Sequence, residues 1–252
     1  DGMLAASQTT TAPPALLAPL LMPRARSANG RAAVAPLGLR RIEAALLAGG
    51  FPADEVAVVE ESALEAAIGP ETRVVGISSG EPAGFGMNSS TMTAVAGGRI
   101  YPEAMFRQLL GRVRRILARR APAAKVLVGG PGAWQLAAHP DARAALGVDY
   151  AITGYAEGNA AGLFREVLDG AAAPGILEGK GVPPEGVPPI RGASTMGVVE
   201  LSRGCGLGCA FCTIARVPMI HLPEETVAAD AATNVAAGNT SIAVLSEDLF
   251  RY

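Results

Sequence analysis

Residues 201–218 read LSRGCGLGCAFCTIARVP and hold every cysteine of the chain, Cys205, Cys209 and Cys212. The thiols are separated by three and then by two residues, with Gly204, Gly206 and Gly208 interleaved. An odd number of thiols cannot all pair as disulfides, and three do not complete a tetrahedral metal cage. The apolar run MGVVE just ahead predicts a strand that delivers the cysteines on a loop. With all cysteines in one cluster no disulfide framework is visible, and a reducing, cytoplasmic setting is expected.

Three chemistries compete for such a loop. A structural zinc site needs four ligands, and only His221, nine residues past Cys212, is near enough in sequence to complete a Cys3His set. A redox pair or a nucleophilic cysteine needs a helix N-terminus or a basic neighbour, but has no use for three thiols. An iron–sulfur cluster takes cysteine thiolates, and three of them on a 4Fe–4S cube leave one iron open to a substrate or cofactor. The glycines suit this third chemistry. A loop wrapping a cluster needs unusual backbone angles and N–H groups turned toward the sulfurs.

Outward from the cluster, the 252-residue chain is 50% apolar and 17% charged, so it can bury a sizeable core. Its 21 basic and 23 acidic side chains give a net charge of −2, which argues for no nucleic-acid partner. The early run APPALLAPLLMPRARSA is broken by prolines and carries its charges on the wrong side for a signal peptide, so no membrane association is expected. The chain begins at Asp1 without Met and stops at Tyr252 after one and a half βα units of its second part. It is therefore expected to be a portion of a longer enzyme, inactive by itself.

Four segments follow from the pattern. Residues 1–36 read as an irregular N-terminal leader. Residues 37–170 alternate helical periods with short apolar runs, a pattern that predicts an α/β domain with a parallel sheet covered on both faces. The expected strands include EVAVVE, TRVVGISSG, KVLVGGPGAW and VDYAITG. A long helix is expected over PEAMFRQLLGRVRRILARRAP, with Met105, Phe106, Leu109, Leu110, Val113, Ile116 and Leu117 on one face. Residues 171–196 are dense in Pro and Gly and read as a linker. Residues 197–252 supply a strand, the cysteine loop, a helix from Pro223 and a further strand SIAVLSED. Ligands of such sheets bind outside the carboxyl ends of the strands, here GISSGEPAGFG, GGPGAW and TGYAEG. GFGMNS lacks the third glycine of a dinucleotide fingerprint, so a nicotinamide cofactor is disfavoured.

RGCGLGCAFC resembles the CxxxCxxC signature of radical S-adenosylmethionine enzymes, including the aromatic Phe211 before the third cysteine. The resemblance implies that Cys205, Cys209 and Cys212 hold a 4Fe–4S cluster and that S-adenosylmethionine chelates the remaining iron, with Phe211 against that cofactor. It also implies a partial (β/α) barrel whose cluster loop follows its first strand, and an external electron donor of the flavodoxin or ferredoxin type. Glu247 and Asp248 fall where the second barrel strand ends, either facing the site or serving as loop carboxylates.

The order α/β domain, linker and motif is similar to the cobalamin-binding subclass of that family over residues 36–212. The likeness covers PLGLRRIEAAL, VVGISS, KVLVGGPGAW and VDYAITGYAEG. By this resemblance the first domain is a Rossmann- or flavodoxin-like cobalamin-binding sheet. Ser78, Ser79 and the loop through Gly84 lie beneath the corrin. Gly129, Gly130 and Gly132 give room to the nucleotide tail, with Gly154 and Glu157 nearby. Gly132 stands where the family commonly has His, and no Asp-x-His-x-x-Gly pattern occurs, so no histidine ligand to cobalt is expected. His139 and His221 read as surface or packing residues. The implied activity is cleavage of S-adenosylmethionine with methyl transfer from cobalamin to an unactivated carbon of a small molecule or peptide. Cobalamin-dependent rearrangement or cyclisation is one alternative, and a non-enzymatic ligand-binding module stapled by Cys3His zinc is another.

Overall fold

The computed structural model describes residues 8–13, 27–28, 30–210 and 216–251. Its elements run β1 (Ser27–Ala28), β2 (Arg31–Ala32), β3 (Val34–Ala35), α1 (Leu37–Ala48), α2 (Leu64–Ala67), β4 (Val74–Ser78), α3 (Met87–Ala96), α4 (Tyr101–Arg120), β5 (Lys125–Gly129), α5 (Ala133–Ala138), α6 (Pro140–Leu146), β6 (Tyr150–Thr153), α7 (Ala160–Leu168) and β7 (Gly175–Glu178). There follow β8 (Ala193–Ser194), β9 (Val198–Glu200), β10 (Ser202–Arg203), β11 (Ile220–His221), α8 (Glu224–Ala236) and β12 (Ala243–Leu245). The architecture is α/β, consistent with a Rossmann-like arrangement: β4-β5-β6-β7 form a four-stranded sheet in that order, and every neighbouring pair is parallel.

The alternation of side chains along β5 and β6 divides the core in two. Val126, Val128 and Ala151 face α4 and α5, where Phe106, Leu110, Val113, Ile116, Leu117 and Leu136 are buried with them. Leu127, Tyr150 and Ile152 face the other side, against Ala45 and Leu46 of α1 and Ala160, Leu163 and Val167 of α7. Continuous apolar strands are what a sheet covered on both faces requires. α4 forms where its period predicts, with Pro102 in the first turn, a position where no helical donor is lost.

Two expectations are corrected. EVAVVE, residues 55–60, joins no strand; Val58 O accepts one hydrogen bond from Ala32 N at 2.9 Å, while Val56 and Val59 pack on the two halves of the core. Its apolar run is satisfied by side-chain packing rather than by a ladder. The sheet's fourth strand comes instead from Gly175–Glu178, inside the segment read as linker, where GILE pairs Tyr150↔Gly175 through Thr153↔Glu178 at the sheet edge. Flanking Pro and Gly conceal a strand this short. Within the leader, β2 pairs with β1, and β3 runs parallel to β8.

Beyond β8, β9 and β12 pair in parallel from Val198↔Ala243 to Glu200↔Leu245, with α8 as the connection between them. Among the described residues no helix is long and apolar enough to cross a membrane.

Candidate functional site

The cysteine loop leaves the carboxyl end of β9 and is closed at its base by an antiparallel pair, Ser202↔His221 and Arg203↔Ile220. Gly204 sits at the neck with φ +68°, and a Cβ there would lie 2.5 Å from Pro218 O and 2.7 Å from Val217 O. Only glycine lets the two limbs of the loop close so tightly. Beyond the neck the chain turns outward: Cys205 is half-buried, Cys209 exposed, and both thiols are free. Arg251 Nη1 donates to Cys205 O at 2.6 Å, and Ser246 Oγ lies 2.6 Å from Ser202 Oγ, so the residues after β12 brace the same neck. Phe211 and Cys212 lie outside the described residues.

Under the neck is a buried charge network that the sequence reading missed. Arg203 Nη2 donates to Glu157 Oε1 at 2.7 Å and to Glu200 Oε2 at 2.8 Å, while Nε donates to Glu200 Oε1 at 2.9 Å. The guanidinium also covers the Tyr155 ring at 4.4 Å. Burial works against the Arg203 charge, but Glu200 and Glu157 outweigh it and raise its pKa. Burial raises the Tyr155 pKa, with Glu200, Glu247 and Glu157 adding to the shift and Arg203 opposing it. Arg41 of α1 continues the network, with a bidentate contact to Asp230 of α8, a 2.8 Å bond to Pro188 O and an approach of 4.0 Å to Glu200. The only sequence trace of this network was an Arg beside the motif and an Arg-Arg pair in a helical period, patterns that are usually solvated.

The carboxyl edge of the parallel sheet lies on the other side of Glu157. Ser78 ends β4 opposite Gly129 of β5, Ser79 N donates to Gly129 O at 3.0 Å, and Gly132 N donates to Ser79 O at 2.9 Å. A Cβ on Gly132 would meet Gly80 O at 2.4 Å, so this glycine serves the contact of one loop with the next. Gln135 locks the pair, donating to Glu81 Oε1 at 2.6 Å and accepting from Ala83 N at 3.1 Å. Gly84 adopts φ +79° under the Glu103 carboxylate, and Gly154 ends the following strand beside Gly179. Phe85 in the loop after β4, Trp134 in the first turn of α5 and Tyr155 in the loop after β6 are each about two-fifths exposed along this edge. His139 is stacked on Phe85 with ring centres 3.8 Å apart.

The fold therefore brings Ser78, Ser79, Gly129, Gly130 and Gly132 into one cluster of touching loops, with Gly154 and Glu157 one strand further on. Glu157 is engaged by Arg203 and joins this edge to the neck of the cysteine loop. No protein-family model, curated protein or solved structure matches the chain.

Proposed function

We propose that the chain carries the cofactor-handling parts of a radical S-adenosylmethionine enzyme of the cobalamin-binding branch, acting in methyl transfer to an unactivated carbon. The observation that carries this reading is a loop with two free, accessible thiols, Cys205 and Cys209, leaving the first strand of a parallel β9–α8–β12 unit. Cys205, Cys209 and Cys212 are the ligands this reading assigns, and their donor chemistry suits iron–sulfur ligation. When bound, the cluster supplies the electron that cleaves S-adenosylmethionine, and cobalamin supplies the methyl group.

The protein's own part is support. The neck fixes Cys205 through Gly204 and Arg251. At the sheet edge, Gly130 and Gly132 let the loops carrying Ser78, Ser79 and Gly129 pack closely, while the exposed parts of the Phe85, Trp134 and Tyr155 rings offer surface to a planar macrocycle.

Anaerobic reconstitution with iron and sulfide tests the assignment. A brown protein with a broad visible band and bound sulfide is expected, and Cys209→Ala should lose both. Stoichiometric zinc held without that band, and lost with either a cysteine or His221, would overturn it in favour of the Cys3His module.

A further inference from the structure

Arg203 links its own strand to two other parts of the chain with one side chain. Its backbone lies in β10 at the neck of the cysteine loop, two residues before Cys205. Its guanidinium binds Glu200 at the end of β9, and it binds Glu157 and stacks on Tyr155 in the loop after β6. The side chains of Arg203 and Glu157 are only 3% and 4% exposed. Glu157 Oε2 is buried without a hydrogen-bond partner, and among the described residues Arg203 is the cation paired with this carboxylate.

Burying a charge with half its oxygens unpartnered is a poor way to gain stability, because desolvation opposes the Coulomb attraction. It does confer geometry. A guanidinium presents a rigid fork, so three hydrogen bonds and a stacking face define one orientation that an ammonium could not hold.

We propose that Arg203 is a positioning residue: together with Glu157 it sets where the cysteine loop stands relative to the carboxyl edge of the parallel sheet. A group held by the cysteines and a ligand on that edge would then be referred to one frame through this contact. The consequence for chemistry rests on the iron–sulfur reading above, whereas the latch is a property of the polypeptide. Glu157→Gln is the informative variant. It leaves the Arg203–Glu200 pair in place and cuts only the charged tie to the loop after β6. Arg203→Leu instead strands two buried carboxylates and endangers folding.

The latch is tested on the metal-free, reduced protein by timed alkylation with iodoacetamide, read at each cysteine by mass spectrometry. Glu157→Gln should raise the rate at half-buried Cys205 by roughly tenfold, as expected when a charge-assisted hydrogen bond to a buried group is weakened. Cys209, already exposed, should change little, and the urea midpoint should stay close to wild type. Unchanged Cys205 kinetics would overturn the proposal. So would a parallel rise at both cysteines with a fallen midpoint, which marks general loosening. If Glu157→Gln does not fold, the same comparison in Arg203→Lys decides. Iron uptake by the wild type is scored separately: its failure removes the iron–sulfur reading and leaves the alkylation result standing. Where iron is taken up, Glu157→Gln should keep the wild-type iron content while altering the paramagnetic resonance line shape of the reduced cluster.

Discussion

Helices α4 and α8 each connect parallel strands and bury one face, yet the buried chemistry is opposite. α4 buries Phe106, Leu110, Val113, Ile116 and Leu117 against β5 and its neighbours. α8 buries Thr226, Asp230 and Asn234, spaced four apart on one stripe. Asp230 takes the Arg41 guanidinium and Ile190 N, and Asn234 Oδ1 accepts from Ser194 N at 2.8 Å. Apolar area is non-directional and tolerates small shifts, whereas a hydrogen-bonded charge pair has one good geometry. The four-stranded sheet is thus held mainly by area, and the unit bearing the cysteine loop is docked mainly by direction.

The sharpest way to break this contrast is Asp230→Ala. It leaves Arg41 buried without its carboxylate and should cost about 3–5 kcal/mol in urea unfolding. Replacing both partners, Arg41→Met with Asp230→Leu, should recover much of that loss, because an apolar pair has no charge to desolvate. A single variant costing less than about 1 kcal/mol, the range of exposed ion pairs, would show that the docking is not polar.

Leu110→Ala probes the other helix and should cost about 3 kcal/mol through a cavity under β5. No second substitution of opposite polarity should rescue it, since area has no partner to remove.

The smallest effect belongs to Tyr155. Its folded pKa is raised above the usual phenol value, so the associated stability is present below about pH 10 and is lost as pH climbs through the higher folded value. Urea midpoints followed upward from about pH 9 should fall more steeply for the wild type than for Tyr155→Phe. Parallel curves would mean that burial and the carboxylates beneath the cysteine neck do not hold the Tyr155 phenol in its neutral form.

The same contrast explains what could be read from the sequence. α4, β4, β5, β6 and α7 carry strong periods or long apolar runs, so their existence followed from pattern alone, whereas α8 was legible from Pro223 at its start. In α1 the spacing of Leu39, Ile42, Leu46 and Leu47 predicts an apolar face; Leu46 is buried and Ile42 packs on the core, but the helix also buries Arg40, Arg41 and Glu43. Arg40 Nη1 is satisfied by Glu43, and its remaining donors reach Ala193 O and Ala32 O. Pairing across large sequence distances leaves no local signature, and hydrophobicity patterns rank such residues as exterior. The candidate site divides along the same line. The cysteines and glycine loops stand out by spacing and composition, while Arg203, Glu200, Arg41 and Asp230 emerge only once the chain has brought them together.

The neck formed by β10 and β11 has a consequence for how this protein can change. Its ends are held together by Ser202↔His221 and Arg203↔Ile220 whatever lies between them. Chain-closure entropy grows only slowly with length, and here it is met by the scaffold. The stretch outside the neck can therefore be lengthened, shortened or rewritten with little penalty to folding. Such a neck separates the demands of folding, met by the paired strands, from the demands of chemistry, which fall on the cysteine spacing beyond them.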